Sequence, residues 1–255
     1  MTRPLFDATL LPLRHARARA LNGDYFLHER AFDECLDRIA TVRRTFSSAW
    51  VLGPSVLGWP DRLKSIGVSD VAFNGPDDDL LPPFAAELCV SIGMLDTVQD
   101  LPALLTGLRH MLAPGALFIG AFAGGNSLPT LRSAMAAADR IEGAARPHFH
   151  PRIDPASFGG LLAGAGFADP VVDVDRISLS YSNLSALIRD LRAMAATNRL
   201  FERPRIPVLR RGMAAAENDF TASASSGRTT EIIEIIHFAG WVANDLDPGP
   251  RITQN

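Results

Sequence analysis

The chain has 255 residues, 47% hydrophobic and 21% charged, which suits one large α/β domain or two small ones. A net charge of −3 argues against a nucleic-acid binder, and no apolar run reaches the roughly 18 residues of a membrane helix. Two cysteines, Cys35 and Cys89, are too few for a disulfide framework and fit a reducing compartment. In chain order, residues 13–21 are arginine-rich and acid-poor, as a mitochondrial transit peptide would be. A regular helix follows at once, so residues 1–45 read as a basic helical arm ahead of a domain at 46–255. Phe26, Leu27, Ala31, Cys35, Ile39 and Val42 form the stripe of that helix. Residues 50–53 read as a first strand, 60–66 as a short helix, and 69–75 as a second strand ending in the turn signal Asn74-Gly75. The continuous apolar run around Cys89 (86–96) predicts a strand buried on both faces. Asp100 caps a helix with Pro102 in its first turn, and a strand follows at 116–124. Helices at 127–143 and 154–167, an alternating strand at 168–181, a helix begun by Asn183 and a closing strand at 229–243 complete the chain. This alternation predicts an α/β fold of three layers on a mostly parallel sheet.

Several stretches carry a resemblance: FLHERAFDECLDRI (26–39), the run from Asp100 to Arg132, LLAGAGFADPVVDVDRISLSY (161–181), LIRDLRAMAATNRLFER (187–203) and EIIHFAGWVAND (234–245). Together they resemble the class I methyltransferases that use S-adenosylmethionine. Within these they are most similar to the BioC-like members and to the subgroup of the mitochondrial complex I assembly factor. The resemblance runs over residues 5–250. It implies a Rossmann-like sheet of seven strands with the last antiparallel, and a helical insert at about 124–160. It also implies S-adenosylmethionine as cofactor, methyl transfer as activity, and, for the mitochondrial subgroup, hydroxylation of an arginine on a complex I subunit.

Two departures stand out. In the family the first strand ends in an acid, and three glycines at alternate positions let the backbone approach the cofactor. Laid onto AWVLGPSVLG, the acid falls at Val51 and the glycines at Gly53, Ser55 and Leu57, while Pro54 removes a backbone donor. The second departure is length. Gly53 and Glu87 stand only 34 positions apart (87 − 53), where the family places two further βα units, and one βαβ unit takes roughly 30 residues. The sheet is expected to lack about one βα unit on the cofactor side. The acid that meets the ribose is replaced by Asn74.

The resemblance assigns the cofactor contacts to Gly53, Ser55, Asn74, Asp77, Ser91 and Asp96, with Asp96-Thr97 standing where the family often has His-Trp. It assigns the partner- or substrate-facing surface to Arg132, His148, Tyr181 and Arg192, which fit the family better than the cofactor loop does. No catalytic residue is named. His148 and His150, two apart with no acid or cysteine beside them, give no metal site and read as loop histidines. The expected function is that of a methyltransferase-family protein with a degenerate S-adenosylmethionine loop and weakened or lost catalysis. It would bind a protein partner, such as a respiratory-complex subunit, with no nucleic acid and no transmembrane segment. Its expected location is the cytoplasm, with the mitochondrial matrix as the other. The alternatives are an active methyltransferase and an arginine-hydroxylase-like enzyme.

Overall fold

The structure, a computed structural model, describes residues 3–54, 58–75 and 82–244. Two helices, α1 (Leu10–Ala20) and α2 (Phe26–Thr41), precede β1 (Ser48–Leu52). Then come α3 (Trp59–Ser65), β2 (Asp70–Asn74), β3 (Leu88–Ile92), a single 3₁₀ turn at Leu95–Thr97, α4 (Leu101–Met111) and β4 (Leu117–Gly124). The second half holds α5 (Pro129–Glu142), α6 (Pro155–Gly164), β5 (Phe167–Tyr181), α7 (Leu184–Ala193), α8 (Arg210–Ala222) and β6 (Thr229–Val242).

The six strands form one sheet in the order β2-β1-β3-β4-β6-β5. β2, β1, β3 and β4 pair in parallel, and β6 runs antiparallel to both β4 and β5. Between Asn74 and Leu88 lie 13 residues (75 to 87), too few for a strand and its helix, so β2 is the outer strand at this end among the described residues. The missing unit is the one the short interval predicts. β1, β3 and β4 are almost wholly buried and, apart from Ser48 and Ser91, apolar, because helices cover both faces of the sheet.

One face packs Val51, Val90 and Ile119 against α2, α3, α5, α7 and α8, with Phe32 and Trp59 fully buried. These two rings stack at 4.5 Å and 5°. The other face packs Trp50, Cys89, Phe118 and Phe238 against Leu105 and Leu108 of α4 and Phe158 and Leu162 of α6. Asp100, Asp154 and Asn183 cap their helices by accepting from the N–H groups of Ala103, Ser157 and Ala186, as the sequence predicts. The helix α8 was not foreseen. Its stripe of Gly212, Ala216 and Phe220 is thin, and its burial comes from packing on α5.

Candidate functional site

Ligands of open parallel sheets bind beyond the carboxyl ends of the strands. In this chain that edge carries a cavity of about 280 Å³ over the ends of β3 and β4, at Ile92, Gly93 and residues 121–123. Leu11 and His15 of α1, Leu27, His28 and Ala31 of α2, and Leu191 to Arg199 roof it. Gly93 sits at φ +65°, and a β-carbon there would lie 2.7 Å from the His28 ring, so the strand end and the α2 roof meet only because this residue is glycine. The lining is mostly apolar, with a few polar groups converging on it, the usual make-up of a small-molecule or side-chain pocket.

Those polar groups have shifted protonation. Asp96, from the 3₁₀ turn, is enclosed; burial raises its pKa against the pull of Arg152, whose Nη1 lies 3.8 Å from the carboxylate. The Arg152 Nη1 also donates to the Ala123 carbonyl at 3.2 Å, while its buried Nε has no partner. Burial pushes His150 down to about 3 and His28 down to about 4, so both imidazoles are neutral. The backbone N–H of Arg199 donates to His150 Nε2 at 2.7 Å, which places the ring proton on Nδ1. The Arg199 side chain donates to Thr97 Oγ1 at 2.9 Å, and the ring of Phe6 meets His150 edge-on at 5.3 Å. An aspartate–arginine pair with neutral imidazoles in an apolar chamber can orient one polar group and exclude water around it. Among the described residues no three of His, Cys, Asp or Glu converge closely enough to hold a metal ion.

The sequence-predicted residues divide. Asp96 lines the cavity. Gly53 lies at the end of β1, its N–H on the Asn74 carbonyl at 3.2 Å. A β-carbon at Gly53 would stand 2.8 Å from the Trp59 ring, whose Nε1 donates to Glu29 at 3.0 Å. The Asn74 Oδ1 accepts from Trp50 Nε1 at 2.7 Å. Ser91 is buried in β3 outside the cavity lining, its hydroxyl without a partner. Ser55 and Asp77 lie outside the described residues. On the other surface, the Arg132 guanidinium covers the Phe149 ring at 4.6 Å, and His148 Nε2 meets Asp139 at 2.9 Å. A smaller cavity of about 170 Å³, lined by His148, Phe149 and Ile188, adjoins them. It shares His150 and Arg152 with the first cavity. Tyr181 is buried and presents no contact surface, whereas Arg192 is exposed on α7. His28, Arg152 and Arg199 were not singled out from the sequence, and His150, read as a loop histidine, faces the cavity.

No protein-family model matches the chain. It is 37% identical over 153 residues to the malonyl-[acyl-carrier protein] O-methyltransferase of Xylella fastidiosa, covering 58% of this chain and 48% of that protein. It is 29% identical over 250 residues to the mitochondrial arginine-hydroxylase NDUFAF5 of Danio rerio, covering 88% and 78%, and 32% identical over 179 residues to that of Rattus norvegicus, covering 68% and 52%. The chain thus spans about half the length of the Xylella and rat proteins. Among solved structures, a Bacillus halodurans protein described as a candidate methyltransferase superposes with a TM-score of 0.53 at 9% identity, covering 84% of this chain and 99% of that one. The chain is therefore a relative of the BioC-like methyltransferases and the NDUFAF5 proteins, built on the Rossmann-like methyltransferase fold with a six-stranded sheet.

Proposed function

We propose that the chain is a methyltransferase-fold binding protein that has weakened or lost its hold on S-adenosylmethionine and keeps the carboxyl-edge cavity for a group of a protein partner. The observation that carries this reading is the end of β2, where Asn74 replaces a carboxylate and its carboxamide accepts from the Trp50 indole. The neighbouring position, Val51, is fully buried and apolar where the family has an acid, and the space against Gly53 is taken by Trp59. On this reading the ends of β1 and β2 offer the cofactor neither a carboxylate nor open space beside Gly53. The partner is a protein, with a respiratory-complex subunit as first candidate from the resemblance, and Arg132 and Arg192 as contacts. Arginine commonly anchors interfaces. We place the protein in the cytoplasm.

Calorimetric titration with S-adenosylmethionine and S-adenosylhomocysteine tests this. The expected dissociation constant is no tighter than ~1 mM, near −4 kcal/mol. A micromolar constant restores the second reading, an active methyltransferase. That reading is favoured by the formed cavity at the strand ends and by relatives that are named as enzymes. Turnover of an arginine-containing peptide would favour the hydroxylase alternative instead.

A further inference from the structure

The sheet has two borders, and they are built differently. β5, at one end, carries Pro170, a register shift between Ala168 and Val171, and the charges Asp169, Asp173, Asp175 and Arg176. Proline, a bulge and charge are what keep an exposed strand from pairing with a foreign one. β2, at the other end, has no proline, no lysine and no bulge, and its middle is Val71-Ala72-Phe73. Among the described residues it pairs with β1 alone. The N–H of Asp70 donates to the Ser47 carbonyl, and the Asn74 carbonyl accepts from Gly53. Asp70, Ala72 and Asn74 therefore turn their backbone groups toward β1, and by the alternation of a strand the N–H and C=O of Val71 and Phe73 turn outward.

This border is complementary to a second copy of itself. When two copies of β2 are laid antiparallel about a two-fold axis through Ala72, Val71 of one stands opposite Phe73 of the other, on both sides of the axis. Both residues point outward, so each opposed pair exchanges two backbone hydrogen bonds. Val71 and Phe73 lie on the sheet face toward α2 and α3 and are only half-buried, so each pair also sets a β-branched side chain against an aromatic one. Ala72 meets its own copy at the closest approach of the ladder, about 4.5 Å between Cα atoms, where a small side chain fits. Asp70 stands opposite Asn74 of the other copy and meets no second carboxylate. Ile66, exposed at 47% at the end of α3, which packs on β2, adds apolar surface beside the strand.

We infer that the chain forms a two-fold homodimer by antiparallel pairing of β2 with β2 of a second copy, so that two six-stranded sheets become one. A two-fold contact is closed. It uses the outward backbone groups of β2 in both subunits and leaves only the guarded β5 borders at the ends of the joined sheet. The cavity lies over the ends of β3 and β4, so the pairing stands whether or not a cofactor is held.

Sedimentation velocity of the full chain between about 1 µM and about 200 µM tests it, because a short strand pair makes a small interface that fills by mass action in this range. The expected result is a shift from monomer to dimer with no larger species, and slowed amide exchange at Val71 and Phe73 as the dimer fills. Asn74→Asp keeps the oxygen that accepts from Trp50 and sets a carboxylate opposite Asp70 of the partner subunit. The dissociation constant should rise about tenfold or more, since like charges then stand directly opposed at two places in each dimer. Adding Asp70→Lys to that variant makes both opposed pairs opposite in charge and should restore the dimer, which relief of a folding defect would not do. Far-ultraviolet circular dichroism checks that each variant is folded. A wild-type chain that stays monomeric throughout overturns the proposal. So does a dimer that ignores Asn74→Asp or is not restored by Asp70→Lys, and so do species larger than a dimer, which would make the contact open-ended.

Discussion

His28 and His150 are held neutral by burial, at about 4 and about 3, against an ordinary 6.5. A histidine whose folded pKa is depressed supports the fold above its unfolded pKa and loses that support as pH falls toward the folded value. For His28 the window runs from about 6.5 down to about 4, and the loss over it is about 3 kcal/mol. Urea unfolding at pH 7 and pH 4.5 should therefore show a steep fall in stability, and His28→Gln should flatten that slope. An unchanged slope in the variant would place the titration elsewhere. These histidines also show where single-residue reading stops. Asp96 was legible because it stands at the end of a central strand. His150 lay in an unstructured-looking RPHFHPR, and its enclosure depends on Phe6 and Arg199, which are distant in sequence.

The helices show the same division one scale up. The caps Asp100, Asp154 and Asn183 act within three residues and were readable from spacing. The start of α5 is different. Leu128 enters it at φ +63°, and the N–H groups of Thr130 and Leu131 donate to Glu231, at 3.2 and 2.7 Å, from 100 residues away. Glu231 is fully buried, and its charge faces the positive end of the helix. Asn183→Ala should cost about 1 kcal/mol, as an ordinary cap does. Glu231→Ala should cost about 3 kcal/mol, because the buried N–H of Leu131 and the half-buried N–H of Thr130 would both lose their acceptor. The shift of the urea midpoint at constant slope compares the two, and equal losses would show that water replaces the carboxylate. The missed helix α8 belongs to this scale too, since its stability comes from α5 more than from its own pattern.

At the scale of the whole molecule, the parallel alternation and the shortened cofactor half were both legible, because strand order and chain length follow from local patterns. What closes over the strand ends was not legible, because α1, α2 and the segment after α7 meet only in three dimensions. Residues 1–45 stand as our proposed arm, yet Phe32 of α2 stacks on Trp59 in the core. The arm and the sheet should melt in one calorimetric transition, and a separate early transition would make the arm an independent unit. The chain also carries a trace of its shortening in β2. Among the described residues β2 pairs on one side only, so its other side presents a row of unmatched amides and carbonyls, the kind of border along which chains stack into aggregates. Among the described residues its brevity, five residues, and the exposed Asp70 at its start protect it. We expect self-association at high concentration to begin at this border, away from the cavity over the ends of β3 and β4, and light scattering should fall when Val71 is replaced by lysine.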